Sequence, residues 1–150
     1  MLNINTSHNL IEMYKNENIE IKIDQNSKIL YINVINGNYI KDNFIEGVEY
    51  YKNFWMLINN TDDKYYQMFL FNDVKFYPFE FYDTIFKTFK GLEDIFKKNL
   101  YCSCLVNDSN AMDIFRPLLN MYKAVRPFSF VKTVEDGYKF LENSKNTNVY

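Results

Sequence analysis

Residues 65–96 read YYQMFLFNDVKFYPFEFYDTIFKTFKGLEDIF. An apolar run from Met68 to Phe71 meets the polar pair Asn72-Asp73, and a short extended piece spans Val74 to Pro78. Beyond it Phe81, Ile85, Phe89, Leu92 and Phe96 recur at steps of four, four, three and four. That spacing is the apolar stripe of an amphipathic helix. Lys97-Lys98 stand where cations oppose the negative end of a helix. A strand that feeds a helix through a tight polar turn is the building unit of α/β folds. Tyr65 to Phe71 is apolar on both faces, which predicts a central strand covered on two sides.

Upstream, Asn59 to Asp63 is a polar loop that closes another helix. This helix starts at Asp42 or Asn43 and carries Phe44, Val48, Tyr51, Trp55 and Ile58 on one stripe. Gly47 inside it weakens the helix by roughly 1 kcal/mol relative to alanine. Ile29 to Ile35 is a β-branched strand, and Ile19 to Ile23 alternates apolar and polar residues as a half-buried strand does. Asp24 to Ser27 is turn chemistry, so the two strands are expected to form a hairpin. Gly37 can supply a positive φ where the second strand ends. Met1 to Asn18 is polar and weakly patterned: either Ser7 caps a short helix over Leu10, Ile11 and Tyr14, or the arm is irregular.

Downstream, Leu100 to Val106 is a further strand and Phe128 to Lys132 another. Between them Met112, Phe115, Leu118, Leu119 and Tyr122 mark a helix that Pro117 kinks or divides. Thr133 to Asp136 resembles a capping box, with aspartate at its fourth position, before a last helix through Val134, Tyr138 and Leu141. The order is β-β-α-β-α-β-α-β-α. It predicts a small α/β domain over residues 19–141, with a mixed, mostly parallel sheet of about five strands and helices packed on it. Residues 1–18 form an N-terminal arm and residues 142–150 a frayed tail.

With 150 residues, one domain is expected; 47% hydrophobic and 19% aromatic residues fill its core and leave too little polarity for disorder. Heavy use of Asn, Ile, Lys and Tyr fits an AT-rich genome. A net charge of −2 gives no basic excess for nucleic acid or anionic membrane. There is no apolar leader and no run near the ~20 residues of a membrane span. The two cysteines form no disulfide framework and fit a reducing compartment, so a cytoplasmic protein is expected.

Few residues carry chemistry. His8 is the sole histidine and lies in the polar arm, where a surface role is the plain reading and a catalytic pair would have to use it. Cys102 and Cys104, two apart in a strand, face one side as small core residues or as a reactive pair. Isolated glycines exclude a phosphate loop or dinucleotide fingerprint. One histidine and a C-x-C pair do not make a zinc site, and no cofactor or metal is expected. Asp62-Asp63, Asp73, Glu80 and Asp83 are either an acid/base or metal group at the carboxyl edge of the sheet or solvated acids that favour a helix start. Phe76, Tyr77, Phe79, Phe81 and Tyr82 crowd one strand–helix junction, too densely for all to be core. Phe76, Tyr77, Phe79, Glu80 and Tyr82 are therefore candidate partner-binding residues.

The layout resembles the STAS domain of bacterial anti-sigma-factor antagonists. Its hairpin ends in a glycine, as ILYINVING does at Gly37. Its central strand has a pattern like D-L-S-x-V-x-F-I-D-S-S-G, and LFNDVKFYPFEF places Val74 and Phe76 on the V-x-F positions. LYCSCLVNDSNAMDIFRPLL and the closing Thr133-Val134-Glu135-Asp136 are similar to the family's later strand, short helix and S-x-E-E-A helix, so the likeness spans Ile19 to Leu141. The helix Phe44 to Ile58 resembles that of the SiaC-like branch. The family's phosphorylatable Ser or Thr is missing: Pro78, Phe79, Glu80 and Phe81 stand there, and Thr84 is a turn too far. Glu80 would set a fixed charge resembling a phosphorylated state, or simply favour the helix start. The resemblance implies a non-enzymatic module that binds a protein partner, a second copy of the chain being one candidate. The alternatives are a domain for a small apolar or nucleotide ligand, and an enzyme using Asp73, Glu80 and Asp83.

Overall fold

A computed structural model of the chain describes residues 10–35, 39–71, 78–108 and 122–147. His8, Gly37, Asp73, Val74, Phe76, Tyr77 and the helix expected around Pro117 lie outside them. Among the described residues the sheet has six strands in chain order: β1 (Leu10–Lys15), β2 (Ile19–Asp24), β3 (Ile29–Val34), β4 (Tyr65–Leu70), β5 (Leu100–Val106) and β6 (Phe128–Val131). β1–β2 and β2–β3 pair antiparallel, and β3–β4, β4–β5 and β5–β6 pair parallel. The expected hairpin is β2–β3. Asp24 turns it, its carboxylate accepting from the Asn26 and Ser27 amides at 2.9 and 3.2 Å.

The sixth strand is a correction. Leu10 to Lys15 pairs with β2 instead of coiling into a short helix. Its register breaks between Glu12 and Tyr14, leaving Met13 as a bulge. The bulge spoils the period of two that would have marked a strand, and it blunts an exposed edge.

Helices α1 (Lys41–Ile58), α2 (Phe79–Gly91) and α3 (Glu93–Asn99) cover one sheet face, and α4 (Val134–Ser144) covers the other. β4 alternates strictly between them, with Tyr65 and Phe69, and Phe71 just after the strand, under α1–α3 and Tyr66 and Met68 in the core under α4. The single helix expected after Pro78 is divided at Leu92 (φ −104°, ψ 7°). Phe89, Leu92 and Phe96 stay buried across the break. Lys98 then donates to the Asn59 carbonyl at 2.7 Å, satisfying the end of α1. Thr133 caps α4 as expected, accepting from the Asp136 amide at 3.1 Å.

Gly47 is where α1 touches β2. A Cβ there would stand 2.6 Å from Ile19 Cδ1 and 3.0 Å from Ile19 Cβ, whereas one on Gly91 would meet nothing within 4 Å. Gly47→Ala should therefore lose about 1 kcal/mol, because overpacking a core costs ~1–3 kcal/mol and outweighs the ~1 kcal/mol gain in helix propensity. Gly91→Ala should be neutral or gain up to about 1 kcal/mol. Urea unfolding of both variants checks this; equal shifts would contradict the close contact.

Candidate functional site

β3 and β4 are parallel neighbours, and each is followed by a helix. The first turns of α1 and α2 therefore stand side by side at the carboxyl edge of the sheet. The two N-cap residues, Ile40 and Pro78, make no side-chain capping hydrogen bond. Ile40 is held from behind, its amide donating to the buried Asn18 Oδ1 at 2.9 Å. Lys41 Nζ meets Glu80 Oε1 at 2.9 Å, which ties the start of α1 to the start of α2. Glu80 holds the Lys41 ammonium above its ordinary pKa through that hydrogen bond and its charge. The pair is solvent-accessible on both sides, so it fixes geometry more than it stabilises.

The ion pair brings two apolar side chains to the same edge. Phe79 is 66% exposed and Ile40 38%. Behind them lies an aromatic wall: Phe81 is fully buried, 4.6 Å from the Phe44 ring, and Tyr82 stands edge-on to Phe81 at 4.8 Å. Of the aromatic and acidic residues expected at a binding surface, Phe79 and Glu80 are thus exposed. Tyr82 is buried and belongs to the core at this junction. Phe76 and Tyr77 lie outside the described residues. Ile40 and Lys41 were not legible as members of the edge, because only the parallel pairing of β3 with β4 brings them to Phe79 and Glu80.

The carboxylates do not converge. Glu80 pairs with Lys41, and Asp83 pairs with Lys87 at 2.8 Å one helical turn away. Asp62 and Asp63 lie in the loop between α1 and β4, at the amino end of β4 and so at the opposite edge from Phe79. Asp73 is not among the described residues. No group of three His, Cys, Asp or Glu side chains among the described residues could hold a metal ion.

Cys102 and Cys104 are free, fully buried and on the α4 side of the sheet, while Ser103 faces the other side. Burial pushes both thiols up to about 12, so each stays protonated. Cys102 Sγ approaches the Leu141 carbonyl at 3.4 Å, and a Cβ on Gly137 would lie 3.1 Å from Cys104 Sγ. The pair fills the space beneath α4.

Gln67, a buried amide in the middle of β4, carries no signal in the sequence that marks it out. Its Oε1 accepts from the Tyr51 hydroxyl at 2.5 Å and its Nε2 donates to Ser103 Oγ at 2.8 Å. This chain joins α1, β4 and β5 inside the core. No described helix is long and apolar enough to cross a membrane. Compared with known proteins, the chain matches no family model and no curated protein.

Proposed function

We propose that the chain is a non-enzymatic, STAS-like interaction module of the cytoplasm that binds a protein partner through the edge formed by Ile40, Lys41, Phe79 and Glu80. The observation that carries this reading is Phe79: a phenylalanine two-thirds exposed, on an edge where the Lys41–Glu80 pair joins the start of its helix to the start of α1. Aromatic side chains are enriched at interfaces, and a few residues buried there carry most of the binding energy. The edge is also where the resemblance puts the family's switch. Glu80 supplies a negative charge there, and Lys41 already neutralises it. A partner would meet an apolar contact flanked by a closed ion pair, with no phosphate to read.

Capture from the native cytosol tests the reading. Wild type, Phe79→Asp and Met56→Asp serve as baits, Met56 being 56% exposed on α1 away from the edge. One partner retained by wild type and Met56→Asp and absent from Phe79→Asp is the expected outcome. A partner held equally by all three removes the edge from consideration.

A further inference from the structure

The core between the helices and the sheet is not completely filled. A cavity of about 40 Å³ lies among α1, α2 and strands β2, β3 and β4. Voids larger than a water are few in native cores, and this one would hold roughly three water-sized spheres. α1 contributes Val48 and Tyr51 to its lining, the sheet Ile32 and Phe69, and α2 Ile85 and Thr88. The two hydroxyls among these residues are already used: Tyr51 donates to Gln67, and Thr88 donates to the Thr84 carbonyl at 2.7 Å. The surface the cavity presents is entirely apolar. Interior waters hold about three hydrogen bonds, so such a space suits carbon rather than water.

The cavity has an approach. Val48, Ile85 and Thr88 are half-buried, which places them where the cavity meets the surface between α1 and α2. The volume is too small for a compact ring but admits the end of a chain whose remainder lies between the helices. We propose that this cavity binds the end of a slender aliphatic chain, entering between Val48 of α1 and Ile85 and Thr88 of α2. This site shares Phe44 with the wall behind the Phe79 edge but is lined by none of Ile40, Lys41, Phe79 and Glu80, and it goes beyond the partner reading.

Methyl-resolved NMR titration of the whole chain tests it, using n-pentane, sodium octanoate and cyclohexane as probes. Saturable shifts of the Ile32, Val48 and Ile85 methyls are expected with n-pentane, at an affinity at least tenfold above that for cyclohexane. Octanoate shifting the same methyls would identify the source as an acyl chain, and n-pentane acting alone would identify a free hydrocarbon. Val48→Phe, which fills the mouth, should weaken n-pentane binding at least tenfold, and Met56→Asp, on α1 but outside the cavity lining, should leave it unchanged. If Val48→Phe does not fold, Thr88→Leu blocks the mouth from the other helix. Shifts that never saturate, that spread over the surface, that are equal for the ring and the chain, or that persist in a folded filled variant overturn the proposal.

Discussion

Gln67→Leu is expected to destabilise the fold by about 2–4 kcal/mol, although leucine is close to glutamine in size and suits a buried strand. The amide is almost fully buried and stands between two buried hydroxyls, Tyr51 and Ser103. Burial holds the Tyr51 phenol well above its ordinary pKa, so it stays protonated and needs an acceptor. Leucine would strand both hydroxyls, and each buried polar group without a partner costs about 1–3 kcal/mol. The decisive comparison is Tyr51→Phe/Gln67→Leu/Ser103→Ala, which removes every member of the chain together. It should recover to within about 1 kcal/mol of wild type, because replacing all partners with apolar groups is nearly neutral. Urea unfolding of the single and triple variants reads both values. A triple variant as unstable as the single would mean that side-chain shape, not hydrogen bonding, sets the cost.

Trp55→Ala should cost about 3–5 kcal/mol, a large part of the ~5–15 kcal/mol that holds a domain together. The indole is fully buried and stands edge-on to three rings: Phe54 at 5.5 Å, Tyr65 at 6.5 Å and Phe96 at 5.2 Å. It thereby pins α1 to β4 and α3. Its N–H makes no full hydrogen bond among the described residues, although it faces the Tyr51 hydroxyl closely enough to favour the phenolate. Trp55→Phe keeps a ring in the site and deletes that unsatisfied donor, so it should fall within about 2 kcal/mol of wild type. Thermal unfolding of the two variants measures the difference, and equal losses would show that indole-specific packing outweighs the stranded N–H.

Periodicity carried most of the fold. Leu100 to Val106 is a strand over the expected residues, and the Phe44-to-Ile58 stripe lies within α1. The failures share one cause, which is local irregularity. The Met13 bulge breaks the alternation of β1, so Leu10, Ile11 and Tyr14 look helical. The break at Leu92 hides because the apolar stripe continues buried through it. The candidate edge was only half legible. Phe79 and Tyr82 are three apart and read as one helical face. Phe79, however, opens α2 and projects from its tip, while Tyr82 sits a turn further in against Phe81. Gln67 gave no warning, since its partners come from α1 and β5. The cavity depends on how far two helices stand from a sheet, a distance that no run of residues encodes.

If the edge around Phe79 holds the partner, its affinity depends on that ring, and a titration of the captured partner measures this. Isothermal calorimetry would compare wild type, Phe79→Asp and Met56→Asp after equal unfolding midpoints have shown that all three are folded. Loss of an exposed aromatic anchor at an interface costs about 2 kcal/mol or more, or roughly thirtyfold in affinity. A loss of at least that size is expected for Phe79→Asp and none for Met56→Asp. An unchanged dissociation constant for folded Phe79→Asp would contradict it.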